Sequence, residues 1–213
     1  MADRVVLFID YQNTYKGARE AFFAPGDSHH CGQFNPRKLG ELVANDSPYD
    51  RELTEVRIYR GLPSATFDPK SYGASRRQHD AWEKLGKVTM ITRPLRYPEG
   101  WPETSDPGEK PGEKGIDVSL AIDFAAMAVR KEYDVGIIFS ADTDLRPALE
   151  FVTQMCDDSG SYYPRAEVAA WKPLAGRRSP RLRLPERTIY CHMVDPAGYR
   201  MVADPVDYNR KWS

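Results

Sequence analysis

Val5-Val6-Leu7-Phe8-Ile9-Asp10 decides the fold. Its five consecutive apolar residues, rich in β-branched types, leave no polar face, so the run suits a strand covered on both sides, as in a parallel sheet. It stops abruptly at a carboxylate. Val135-Gly136-Ile137-Ile138-Phe139 repeats the pattern and releases Ser140-Ala141-Asp142-Thr143-Asp144. Further strands are expected over 53–62, 87–92, 168–171 and 188–194. Helical patterns fall over 13–23, 36–44, 72–85, 116–131 and 142–156, and the helix at 72–85 reads as exposed. Strands alternating with helices predict an α/β chain of three layers, α/β/α, around a mainly parallel sheet. The segments 93–115, which is Pro-rich, and 172–187, which is basic, read as loops, and the tail after 194 as irregular.

The 213 residues suffice for one buried core, so a single domain spanning 1–213 is expected. Hydrophobic residues make up 41% and charged residues 29% of the chain, and the net charge is −1, which excludes a polycation. Any nucleic-acid contact must come from a local basic patch. Cys31, Cys156 and Cys191 have no close Cys-x-x-Cys spacing, so reduced thiols in the cytoplasm are the simplest reading. Neither a signal peptide nor an apolar stretch long enough to span a membrane is expected.

The chemistry lies in three acidic elements. Asp10 ends the first apolar run, Asp142 and Asp144 follow the second, and Asp117 opens the Ala-rich helix. Each alone has a plain explanation as a helix cap or a favourable charge in a first helical turn. Two caps on one helix are unnecessary, which weakens that explanation for the Asp142 and Asp144 pair. Asp123, six residues on from Asp117, falls well round the helix and reads as structural. In a parallel sheet the ligand site lies beyond the carboxyl ends of the strands, which gathers at least four carboxylates at one end. Partly desolvated, they would repel by roughly several kcal/mol. A hard divalent cation, Mg²⁺ or Mn²⁺, resolves that repulsion with oxygen ligands, and it can activate water against a phosphodiester.

Phe8-Ile9-Asp10-Tyr11-Gln12-Asn13, then Lys114-Gly115-Ile116-Asp117-Val118-Ser119-Leu120-Ala121-Ile122-Asp123, then Ser140-Ala141-Asp142-Thr143-Asp144-Leu145-Arg146-Pro147 occur in this order. Together they resemble the NYN domains of the PIN-like nuclease superfamily, over roughly residues 3–170. The resemblance implies a PIN-like fold and metal-dependent endonuclease action on RNA. It also implies that Asp10, Asp117, Asp142 and Asp144 are metal-site carboxylates, that Asn13 orients substrate or a metal-bound water, and that Ser140 supports the site. The long 93–115 loop and the extension from about 172 depart from the family pattern.

The expected activity is hydrolysis of RNA, preferably single-stranded. Arg93, Arg96 and Lys114, with Lys110, precede the Asp117 helix, and Arg177, Arg178 and Arg181 belong to a run with Lys172, Arg183 and Arg187. These residues are candidates for phosphate contact, with Tyr97, Trp101 or Trp171 for base stacking. The alternative is an RNA-binding or regulatory protein of the same fold with little catalysis. A haloacid-dehalogenase-type phosphatase ranks lower, because its Asp-x-Asp normally follows the first strand. A second copy of the chain or a regulatory protein is left open as a partner. His29-His30 lacks further ligands at useful spacing and reads as part of a loop.

Overall fold

The computed structural model describes residues 1–103, 109–158, 164–175 and 180–210. The strands are β1 (Asp3–Asp10), β2 (Arg51–Leu62), β3 (Val88–Pro94), β4 (Val135–Phe139), β5 (Arg165–Trp171) and β6 (Cys191–Val194). The helices are α1 (Tyr11–Phe22), α2 (Pro36–Asn45), α3 (Pro69–Glu83), α4 (Ile116–Val129), α5 (Arg146–Asp158) and α6 (Pro196–Val202), with a 3₁₀ turn over Thr143–Leu145. The strands form one sheet in the order β3-β2-β1-β4-β5-β6, and every pairing is parallel.

Side-chain alternation within β1 sets the layers. Val5, Leu7 and Ile9 enter a core with Ala18 of α1, Leu39 and Val43 of α2 and Trp82 of α3. Val6 and Phe8 point the other way, into a core with Leu120 and Phe124 of α4 and Leu149 and Val152 of α5. Successive Cβ atoms leave opposite faces of a strand, so an unbroken apolar run feeds two cores at once. The result is a three-layer α/β/α fold around an all-parallel sheet. Among the described residues, no helix is long and apolar enough to cross a membrane.

Several expectations need correction. Helix α3 is not merely exposed: it starts at Pro69, capped by Asp68, and buries Ser75, Gln78 and Trp82. The tail is not irregular. Asp195 caps α6 by accepting from Gly198 N at 2.8 Å, and Pro196 opens the helix. Tyr199 of α6 accepts from Gly32 N at 2.9 Å and donates to Gln33 O at 3.0 Å. Beyond it, Asp204 accepts from Trp82 Nε1 at 3.1 Å and from the Tyr208 hydroxyl at 2.8 Å, which pins the tail to α3. Between β5 and β6, Leu182 and Leu184 are buried against the α5 side of the sheet, where a crossover helix would otherwise lie. The long Pro-rich loop has an ordered neck, because Arg96 and Gly112 exchange backbone hydrogen bonds of 2.9 and 3.0 Å.

One buried network ties β2, β5 and β6 together. Arg51 donates to both oxygens of Glu167 at 2.9 and 2.7 Å, and His192 Nε2 lies 2.8 Å from Glu167 Oε2. An ionised carboxylate only accepts, so that His192 nitrogen carries the proton. Burial alone would raise the Glu167 pKa, but the hydrogen bonds from His192 and Arg51 and the Arg51 charge outweigh it and bring it down to about 2. Glu167→Ala would leave the buried Arg51 guanidinium uncompensated, and urea unfolding at pH 7 should show a loss of about 3–5 kcal/mol. The folded pKa lies below the ordinary 4.5. The stabilisation is therefore complete above that pH and fades as pH falls toward 2. The gap between wild type and variant should narrow over the same range.

Candidate active site

The crossovers leave β1 and β4 in opposite directions along the sheet, so these adjacent strands form its switch point. In open doubly wound sheets, ligands bind outside the carboxyl ends at such a point. Asp10 closes β1, and Ser140 and Asp142 follow β4, so both lips of the crevice carry polar oxygens.

A chain of hydrogen bonds joins the lips. Asp10 caps α1 by accepting from Asn13 N at 3.2 Å, and its other oxygen accepts from the Ser140 hydroxyl at 3.1 Å. Ser140 Oγ in turn accepts from Asp142 N at 3.1 Å, and Asn13 Oδ1 accepts from Ala141 N at 2.8 Å. Asp142 caps the 3₁₀ turn through Asp144 N at 3.0 Å. One layer below, the Thr14 hydroxyl donates to Phe139 O at 2.8 Å. Asp10, Asn13, Ser140 and Asp142 are thus brought together, while the Asp144 side chain is exposed at the rim.

Asp10 is only 8% exposed. Burial raises its pKa, and the charges of Glu113 and Asp142 push the same way. The Asn13 amide and the Ser140 hydroxyl pull it back only in part, so the carboxyl titrates at about 6. Glu113 escaped the sequence reading because it lies in the Pro-rich segment. The structure sets it against the end of β2, where its Oε1 accepts from Gly61 N at 2.6 Å. A Cβ at Gly61 would stand 2.8 Å from Glu113 Cγ, so only glycine lets that loop settle on the strand end. The available signal was its place immediately before Lys114-Gly115-Ile116-Asp117.

The remaining candidates divide. Asp117 is half-buried in the first turn of α4. That turn lies at the carboxyl ends of the strands, since Arg93 at the end of β3 donates to Ser119 Oγ at 3.1 Å. Asp123 is held by Arg57 at 2.9 Å and the Tyr59 hydroxyl at 2.8 Å, fastening α4 to β2. Arg93, Arg96 and Lys114 are exposed around the neck of the loop. Arg181 is exposed at the start of the segment that carries Leu182 and Leu184, beside Cys191. Arg177 and Arg178 lie outside the described residues. Trp171 is no stacking platform: it is 4% exposed in the core, and its Nε1 donates to Thr14 O at 2.8 Å. Tyr97 packs on Phe67 and Trp101, and its hydroxyl accepts from Ser64 N at 2.8 Å. His29 pairs with Asp207 at 2.9 Å, and His30 with Ser28 at 2.8 Å.

Among the described residues, no three acidic, histidine or cysteine side chains converge as a ready metal cage. The donor chemistry nevertheless fits a hard divalent cation. It offers only oxygens, and the charges named as raising the buried Asp10 carboxyl's pKa are themselves acidic.

The family model described as the NYN domain matches residues 4–155. Comparison with curated proteins finds no match. Among solved structures, a protein of unknown function from Vibrio parahaemolyticus is similar at 20% identity and a TM-score of 0.47, over 79% of this chain and 81% of that one.

Because the folded Asp10 carboxyl titrates at about 6 against an ordinary 3.8, its ionised form destabilises the metal-free protein. The folded state holds the extra proton between these values, so stability falls as pH rises through that window. Asparagine caps a helix as well as aspartate. Asp10→Asn should therefore stabilise the protein in EDTA at pH 7.5 by on the order of 2 kcal/mol, with no gain at pH 3.5. Urea midpoints at the two pH values check this, and equal stability of variant and wild type at pH 7.5 would contradict it.

Proposed function

The chain belongs to the NYN domain family of PIN-like nucleases, and from that premise we propose that it is a metal-dependent endoribonuclease acting on single-stranded RNA. The observation that carries this reading is the buried Asp10 carboxyl, hydrogen-bonded across the switch point to Ser140 and crowded by Glu113 and Asp142. Structure alone gives no reason to concentrate like charges there, whereas phosphodiester hydrolysis does.

In this reading Asp10 and Asp142, with Glu113, hold Mg²⁺ or Mn²⁺, and Asp117 and Asp144 complete the acidic rim. One or two carboxylates suffice, because Mg²⁺ typically keeps several waters and takes a substrate phosphate as a further ligand. The ion, when bound, supplies a water of lowered pKa and neutralises charge on the phosphodiester. Ser140 orients Asp10 and fixes the Asp142 backbone, so it acts as a positioning residue. Asn13 keeps the β4 lip in register through Ala141. Arg93, Arg96 and Lys114 offer cations to the RNA backbone beside the acidic site, and Arg177, Arg178 and Arg181 are proposed to extend that track. Residues 1–213 act as one domain, and the extension from about 172 supplies a sheet edge. We place the protein in the cytoplasm.

Purified protein should cleave a single-stranded RNA with Mn²⁺ and lose that activity in EDTA. Asp142→Asn should lower the cleavage rate by more than 100-fold, and Ser140→Ala by about 10–100-fold, the usual cost of losing a residue that orients a ligand. Retained RNA binding with no cleavage in Mg²⁺ or Mn²⁺ would transfer the assignment to an RNA-binding protein without turnover. Undiminished cleavage by Asp142→Asn would place the chemistry elsewhere.

A further inference from the structure

Beside Glu113, a groove of about 330 Å³ opens between α1, α3, the end of β2 and the tail residues Tyr208 and Asn209. Its size falls within the range of small-molecule sites, about 300–1,000 Å³. The Arg60 guanidinium lies 4.3 Å above the Tyr11 ring, and the Tyr15 ring stacks on Tyr11 at 5.9 Å. Arg60 donates to Gln78 Oε1 at 2.5 Å and to Ser75 Oγ at 3.2 Å.

Two buried polar atoms of groove-lining side chains have no hydrogen-bond partner: Arg60 Nε and Gln33 Oε1. The buried Gln78 amide is engaged, accepting from Arg60 and hydrogen-bonding the Tyr11 hydroxyl. Gln33 is 8% exposed, so water does not freely satisfy it. An unpaired buried polar atom is a cost that folded proteins seldom bear without a use. Two around one groove point to a ligand.

We propose that this groove is a nucleobase subsite that seats a base of the RNA flanking the bond to be cut, an inference that rests on the nuclease reading of the adjoining acidic site. The orphan atoms are one donor and one acceptor. A phosphate offers acceptors only, so it would leave Gln33 Oε1 unpaired and would face the Glu113 carboxylate on the shared wall. A base edge carries donors and acceptors together, and its plane suits the tyrosine and guanidinium faces. The groove also explains the ordered tail. Arg77 Nε donates to Tyr208 O at 2.8 Å, and Asn209 Nδ2 lies 2.7 Å from His29 Nε2, so residues beyond the family match at 4–155 build one wall.

The test is isothermal titration of the full chain in EDTA with the four ribonucleoside 5′-monophosphates, using ribose 5-phosphate as the base-free control. At least one nucleotide should bind tenfold or more tightly than ribose 5-phosphate. Gln78→Leu, checked for a normal thermal transition, should reduce that preference at least fivefold. Ala74→Leu, which narrows the groove from α3 without touching the buried amides, should do the same and keeps the test decisive if Gln78→Leu does not fold. Equal binding of nucleotides and ribose 5-phosphate, or no effect of either folded variant, overturns the subsite. Cleavage of RNA by the wild type is scored separately. Cleavage without a base effect removes the subsite and spares the nuclease, whereas base-dependent binding without cleavage does the reverse.

Discussion

The hydrogen bond from Ser140 to Asp10 spans the point where the sheet reverses its winding, and the site depends on it. It joins the last residue of β1 to the first residue after β4. Ser140 also accepts from Asp142 N, so one hydroxyl sets the spacing of two carboxylates from different strands. The bond is buried, and a buried hydroxyl or carboxyl without a partner would be costly. The geometry is therefore held by the same penalty that holds the core. Thr14 and Asn13 repeat the arrangement, each carrying α1 to the end of β4.

That rigidity has an electrostatic cost. Asp10 sits where water cannot solvate its charge, and Glu113 and Asp142 raise its pKa further. The surrounding packing can bear this. Val5 through Ile9 are each at most 2% exposed, and the two cores on either side of β1 draw on all six helices. At the other end of the sheet the logic reverses, since Glu167 is buried with Arg51 and His192 and its charge is favoured. One buried acid fastens the sheet, and the other carries a charge that its surroundings disfavour.

The layers, the strand sequence and the ends of the two apolar runs were legible because they depend on local pattern. Five apolar residues in a row admit few environments, and a charge directly after them marks a strand end. Glu113 was not legible, because its place depends on the Arg96–Gly112 neck and on the missing side chain of Gly61, neither of which has a local signature. Gln78 was hidden for a related reason: on a charged helix a glutamine reads as solvated, and only tertiary packing buries it. Trp171 failed in the opposite direction, since an aromatic beside basic residues looks like a stacking platform until β6 pairs beyond β5 and the ring proves buried. The α6 helix did carry a signal, Asp195 followed by Pro196, which is a cap followed by a proline in the first turn.

Capping and catalysis make different demands on Asp10, and the difference separates the two explanations. A cap needs one side-chain oxygen in reach of a backbone amide, which asparagine provides equally well and without charge. At this position a charge is penalised by burial and by two neighbouring acids. Stability alone therefore favours asparagine. The carboxylate keeps the cap bond to Asn13 while retaining a charge that the fold gains nothing from. Asp142 likewise caps a turn, accepting from Asp144 N. The cap that first made each aspartate look ordinary is what orients its carboxylate, because the bond to the backbone amide fixes the direction of the oxygens that remain.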